Sequence, residues 1–143
     1  MTTITFLILT AISYASDIDS MYHIIKHVET DNRPNIIGDG GKAFGALQIH
    51  KICVDDVNRI YGTNYSHSDA LDTTCAKEIF KLYLQAGIRR YKRVYGDEPT
   101  EGQVVRMWNG GIYRGYRIKA TDKYLRRYNL YKSYFRSKRG VIN

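Results

Sequence analysis

Between residues 31 and 42 the chain carries Asn32-Arg33-Pro34-Asn35 and then Gly38-Asp39-Gly40-Gly41, a density of turn formers that neither a helix nor a long strand can absorb. On both sides of this stretch apolar residues return at spacings of three and four, the mark of amphipathic helices. The chain is therefore expected to be mainly helical, broken after its first helix by a loop or small hairpin in which Ile36 and Ile37 offer a short strand.

The helical spacing is specific enough to draw elements. Ile18, Met21, Tyr22, Ile25 and Val28 predict a helix from Asp17 to Val28, with Ser16 or Asp17 as N-cap and an end near Glu29. Leu47, Ile49, Ile52, Val54, Val57 and Ile60 predict a second from Phe44 to Tyr61, stopped by Gly62. A long helical segment follows from Ala70 to Tyr95, which Gly87 is expected to bend and Gly96 to end. Pro99 suits the first turn of another helix that includes Gln103 to Trp108 and halts at Gly110-Gly111. A last helix, Thr121 to Phe135, carries Tyr124, Leu125, Tyr128 and Tyr131 on one side and Lys and Arg on the other. No repeat, heptad series or linker divides the chain, and 143 residues make one domain's core.

Residues 1–16 stand apart. The stretch from Thr2 to Ala15 carries no charge, is too short to span a bilayer comfortably, and ends in Ser13-Tyr14-Ala15, the small-residue pattern of a signal-peptidase site. It reads as a signal peptide or, because no basic residue precedes Lys26, as an uncleaved N-terminal anchor. The remaining segment, 17–143, is then the folded domain of a secreted, periplasmic or virion-associated protein. Export also suits Cys53 and Cys75, whose disulfide would close a loop of about 22 residues and contribute roughly 3 kcal/mol. Two buried free thiols are the alternative.

Charge is unevenly distributed. The net charge is +8, and from Arg89 onward 15 Lys and Arg face 4 Asp and Glu, while the first 88 residues are mildly acidic. Such a field attracts polyanions: an anionic cell wall, an anionic membrane surface or nucleic acid. An exported chain rarely meets nucleic acid, so the wall or membrane is the expected partner of the basic C-terminal half. A solvated helix face is the plainer alternative.

Glu29 lies at the end of a helix whose last turns supply Ile24, Ile25 and Val28. These are surroundings that disfavour an ionised carboxyl, as a glycosidic general acid requires. Inverting hydrolysis needs a second carboxylate across the substrate to activate water, about 6.5 to 9.5 Å away. Asp39, in the glycine-rich turn, is the candidate.

These residues fall into an order. The run Gly38-Asp39-Gly40-Gly41-Lys42-Ala43-Phe44-Gly45-Ala46-Leu47-Gln48-Ile49 resembles the glycine-rich run of goose-type lysozymes, whose relatives, the soluble lytic transglycosylases, share its core. Upstream, Glu29-Thr30 is similar to that superfamily's catalytic Glu-Ser. Downstream, Met107-Trp108-Asn109-Gly110-Gly111 is similar to its A-Y-N-A-G motif and Thr121-Asp122-Lys123-Tyr124 to its T-x-x-Y motif.

The resemblance implies a lysozyme-like α+β fold with peptidoglycan glycan strands as substrate; no cofactor is expected, and the chain is expected to be a monomer. It implies a muramidase that hydrolyses the β-1,4 bond between N-acetylmuramic acid and N-acetylglucosamine. Glu29 would be the acid and Asp39 would position water. Gln48 and Asn109 would contact sugar, Tyr124 would hydrogen-bond near Glu29, and Gly45 would let backbone approach substrate. Trp108 is the aromatic expected to line the groove. His50 occupies the place where goose-type enzymes carry a further Asp, which keeps open a water-free lytic transglycosylase with 1,6-anhydromuramic products. A non-catalytic wall- or nucleic-acid-binding protein on the same scaffold is the other reading. His23 and His27 are spaced for a metal, but no ligand cluster accompanies them, so no metal is expected.

Overall fold

The computed structural model describes the backbone of residues 3–140 and the side chains of residues 17–138. Five helices carry the fold: α1 (Thr3–Thr30), α2 (Lys51–Tyr61), α3 (Thr73–Tyr95), α4 (Glu101–Gly110) and α5 (Asp122–Gly140). Between α1 and α2 lies a three-stranded antiparallel sheet of β1 (Ile37–Gly38), β2 (Ala43–Phe44) and β3 (Ile49–His50), in that spatial order. The mainly helical fold with a small β element after the first helix is thus present.

One cluster of buried side chains joins all five helices. Ile25 and Val28 from α1, Val57 from α2, Ile79, Phe80 and Leu84 from α3, Val105 and Met107 from α4 and Tyr128 from α5 are almost fully enclosed. Burying each such side chain contributes about 1.5–3 kcal/mol, offset by the entropy of ordering the chain.

The first helix differs from its expected start: α1 runs through Ser16 and Asp17 without a break, so neither is an N-cap. The signal-or-anchor reading of residues 1–16 lies outside the residues whose side chains are described. Among the described residues no helix is long and apolar enough to cross a membrane. The C-terminal end of α1 is sharply made. Asp31 and Asn32 take positive φ of 53° and 65°, and the buried Thr30 hydroxyl accepts from Arg33 N at 3.1 Å and donates to Ala46 O at 3.0 Å. That pair of bonds fixes the end of α1 against the glycine-rich segment.

The second helix begins at Lys51, not Phe44. Phe44 and Ile49 pair as β2 and β3, and Ala43 pairs with both Gly38 and His50. A helix through this segment is barred at Gly45, which has φ +75° and where a Cβ would lie 2.2 Å from the Ala70 carbonyl oxygen. Gln48 also sits at positive φ, 51°.

Helix ends elsewhere follow local chemistry. Gly62 and Gly96 close α2 and α3 in left-handed geometry. Residues 70–72 belong to a 3-10 turn and to the Asp72 cap, whose side chain accepts from Cys75 N at 2.8 Å. Gly87 is a packing glycine: a Cβ there would meet Ile112 and Met107 at about 3 Å, and α3 continues as one helix to Tyr95. Pro99 precedes the first turn of α4, which is opened by a reciprocal Thr100–Gln103 capping box.

The expected disulfide is not formed; both cysteines are free. Cys53 is buried on α2 beside Tyr83. Cys75 is at the start of α3, where its backbone N–H donates to the Asp72 side chain, and is partly exposed.

Candidate active site

A cleft of about 890 Å³ opens between the sheet and α2 on one side and the C-terminal end of α4 with the following loop on the other. Glu29, Asp39, Gln48, His50, Trp108 and Asn109 all line it, although they come from α1, the sheet region and α4.

Glu29 is half-buried in the cleft wall. The Tyr124 hydroxyl donates to its Oε1 at 2.6 Å and the Trp108 indole N–H donates to the same oxygen at 3.2 Å. Both donors engage one oxygen, and no bond among the described residues uses Oε2. Burial raises the Glu29 carboxyl above its ordinary range, while the two hydrogen bonds and the charge of Arg127 act in the opposite direction without reversing it. Tyr124, from α5, supports Glu29 from behind and is not part of the lining. Its own hydroxyl is pushed well upward, first by burial and then by the neighbouring carboxylate. Trp108 is held edge-on by Phe80 and Tyr83, so its indole is fixed by packing as well as by the bond to Glu29.

The sheet register delivers the opposite wall. Because Gly38 and His50 both pair with Ala43, Asp39 emerges next to His50, and His50 Nε2 lies 3.6 Å from Asp39 Oδ2. Asp39 is at φ 48°, a left-handed conformation that Asp tolerates better than most residues. Its side chain remains 63% exposed.

Gln48 shapes this wall more than it reaches into the cleft. Its Nε2 donates to Gly45 O at 2.9 Å and to Ile36 O at 3.4 Å, and its Oε1 occupies the position that a Cβ on residue 38 would take, 2.1 Å away. Gly38 is therefore required by the Gln48 amide. Gly45 does not line the cleft; it is buried under Ala70, so the expected backbone approach to substrate is replaced by close packing within the protein. Asn109, exposed at the end of α4, has no side-chain partner among the described residues and presents its amide to the cleft.

Several lining residues were not anticipated, Asp56, Tyr113 and Arg114 among them. Asp56 sits on α2 one turn beyond Cys53, pairs with Arg59 at 2.7 Å, and is only 15% exposed. Arg59 also donates to the hydroxyl of Tyr113, which belongs to the facing loop, so an Asp56–Arg59–Tyr113 bridge ties the two walls together. Arg114 follows Tyr113 in the lining. The spacing of Asp56 from Ile52 and Cys53 is the one sequence signal that puts it on this face of α2. Nothing local marks Tyr113 or Arg114.

No protein-family model, curated protein or solved structure matches this chain. Among the described residues no group of three or more His, Cys, Asp or Glu side chains could hold a metal ion. The chemistry available in the cleft is that of a protonatable carboxyl, a second carboxylate paired with a histidine, and free amide donors and acceptors.

Proposed function

We propose that the chain is a peptidoglycan-cleaving muramidase in which Glu29 is the general acid. The observation that carries this reading is the setting of Glu29: a half-buried carboxyl with raised proton affinity, its Oε1 anchored by Tyr124 and Trp108, on the wall of an open cleft of about 890 Å³. A carboxyl whose protonated form is favoured by burial is what a glycosidic leaving oxygen requires.

In the hydrolytic route Glu29 gives its proton to the bridging oxygen as the bond from that oxygen to the anomeric carbon breaks. Water adds at the anomeric carbon and passes a proton to Asp39. The products are a new reducing end on one fragment and a free hydroxyl on the other, and solvent exchange restores both carboxyls. His50 beside Oδ2 orients the Asp39 carboxylate, and the Asn109 amide suits an acetamido group of the sugar.

The exposure of Asp39 favours a second reading. If that carboxylate is too mobile to hold water, the 6-hydroxyl of the muramyl sugar adds to its own anomeric carbon and returns its proton to Glu29, giving a 1,6-anhydro product. Digestion of purified sacculi followed by mass spectrometry separates the routes by one water. Glu29→Gln should slow both by about 10²–10⁴-fold; glycan cleavage by that variant at the parent rate, with the fold intact, overturns the reading.

A further inference from the structure

We infer that the groove between α1 and α5 is a docking surface for a lipid bilayer that carries anionic headgroups. His27, Leu130, Tyr131, Tyr134 and Phe135 line a shallow, mostly apolar groove of about 500 Å³. Leu130 is 72% exposed and Tyr134 49%, an unusual investment of large apolar surface on a helix that is otherwise strongly charged. The aromatic rings support one another: His27 lies 4.9 Å from Phe135, and Tyr134 meets Phe135 edge-on at 5.4 Å.

The surrounding charge selects the occupant. α5 carries seven Lys and Arg against the single Asp122; Asp122 pairs with Arg106 at 2.5 Å, and of the seven cations Lys132 is taken by Glu101 of α4. Asp31 accepts from the Tyr131 hydroxyl at 2.6 Å, so one carboxylate borders the groove among these cations. Arg126 and Lys138 are exposed along the same helix, with the Lys138 ammonium over the Tyr134 ring at 5.1 Å. A second copy of the chain would bring the same cationic face and be repelled. A soluble polyanion would satisfy the charges but leave Leu130 and the rings in water. An anionic bilayer offers phosphates to the Lys and Arg side chains and an apolar boundary to Leu130, with tyrosines at the depth they favour.

The location fits use together with the cleft. No residue lines both surfaces, and His27 and Glu29, two residues apart on α1, point about 200° apart around the helix. A bilayer seated on the groove leaves the cleft facing away from it. This inference does not depend on the muramidase reading.

The test is sedimentation of the full chain with vesicles of phosphatidylcholine alone and with vesicles that also contain phosphatidylglycerol. The expected result is binding to the mixed vesicles only. It should weaken at least tenfold in Leu130→Ser/Tyr134→Ser, which retains every charge, and also in Arg126→Glu/Lys138→Glu. Because these side chains are exposed and lie outside the cleft, the thermal melt and glycan cleavage should be unchanged, and binding of the serine variant to inorganic polyphosphate should match that of the parent chain. As a readout that needs no variant, acyl chains brominated near the headgroup should quench the tyrosine fluorescence of the parent chain. Equal binding to neutral vesicles, undiminished vesicle binding by the serine variant, or a solution dimer that the serine variant dissolves would each overturn the inference.

Discussion

The Tyr124 hydroxyl lies 2.6 Å from Glu29 Oε1, a contact between residues 95 positions apart that joins the last helix to the end of the first. It places a strong donor on a carboxyl that burial would otherwise drive further toward its neutral form. The setting of the acid is thus a balance between desolvation and two hydrogen bonds, and each side of that balance can be removed separately.

Glu29→Gln removes the proton while keeping an oxygen for Tyr124 and Trp108. Cleavage of sacculi should fall by about 10²–10⁴-fold, the usual contribution of general acid catalysis. Stability should change in the opposite direction. A carboxyl whose proton affinity is raised on folding contributes fully below the ordinary carboxyl range, and that contribution is lost as pH rises through the raised value. The variant should therefore melt higher than the parent chain at neutral pH, with the gap closing as the pH is lowered below the ordinary carboxyl range. Melting curves across pH check the sign.

Tyr124→Phe deletes the donor and leaves the ring. Because that hydrogen bond lowers the proton affinity of Glu29, its loss should raise it further, moving the alkaline limb of the pH–rate profile to higher pH. The turnover rate should fall, because Oε1 is then held only by the longer Trp108 bond. A profile unchanged in position would mean that Glu29 does not set that limb.

Which residues come together was largely legible in the chain: Glu29, Asp39, Trp108 and Asn109, singled out by short motifs in a fixed order, line one cleft, with Tyr124 bonded to Glu29. The conformation that assembles it was less so. Helical spacing reports which residues are buried, and Leu47 and Ile49 are buried as expected, yet they belong to the sheet region because Gly45 leaves no room for a helix against Ala70. Asp56, Tyr113 and Arg114 reach the cleft only through the docking of α2 against the loop after α4, a long-range contact that no local pattern encodes.

Gly45→Ala tests that constraint directly. The new methyl group would have to displace the Ala70 carbonyl and also adopt φ +75°, so the variant should lose about 2 kcal/mol or more, in line with other strained backbone substitutions. Chemical denaturation is the measurement. A change within about 0.5 kcal/mol, typical of an unconstrained surface site, would contradict the close packing.

Asp39→Asn leaves the size of the side chain and removes its charge. If Asp39 accepts the proton from water, the variant should lose reducing-end products while any 1,6-anhydro products persist, and His50→Ala should shift the ratio the same way to a smaller degree. A product ratio indifferent to both substitutions would assign water activation elsewhere in the cleft, where Asp56 is the remaining carboxylate.

The free cysteines give a prediction about the folded state itself. Cys53 is enclosed and its thiol is pushed upward chiefly by burial, with the nearby Asp56 charge adding to the effect, so little thiolate forms there. Cys75 is half-exposed at the start of α3, and burial followed by the Asp72 carboxylate raises its thiol as well. Both should be slow toward a thiol reagent in the native protein, Cys53 the slower, and both should react on unfolding. A reducing agent should leave the melting temperature unchanged, because no loop is closed by a bond that it can cut. A marked fall in melting temperature on reduction would show instead that the two thiols are joined in solution, tying the cleft wall at Cys53 to the start of α3.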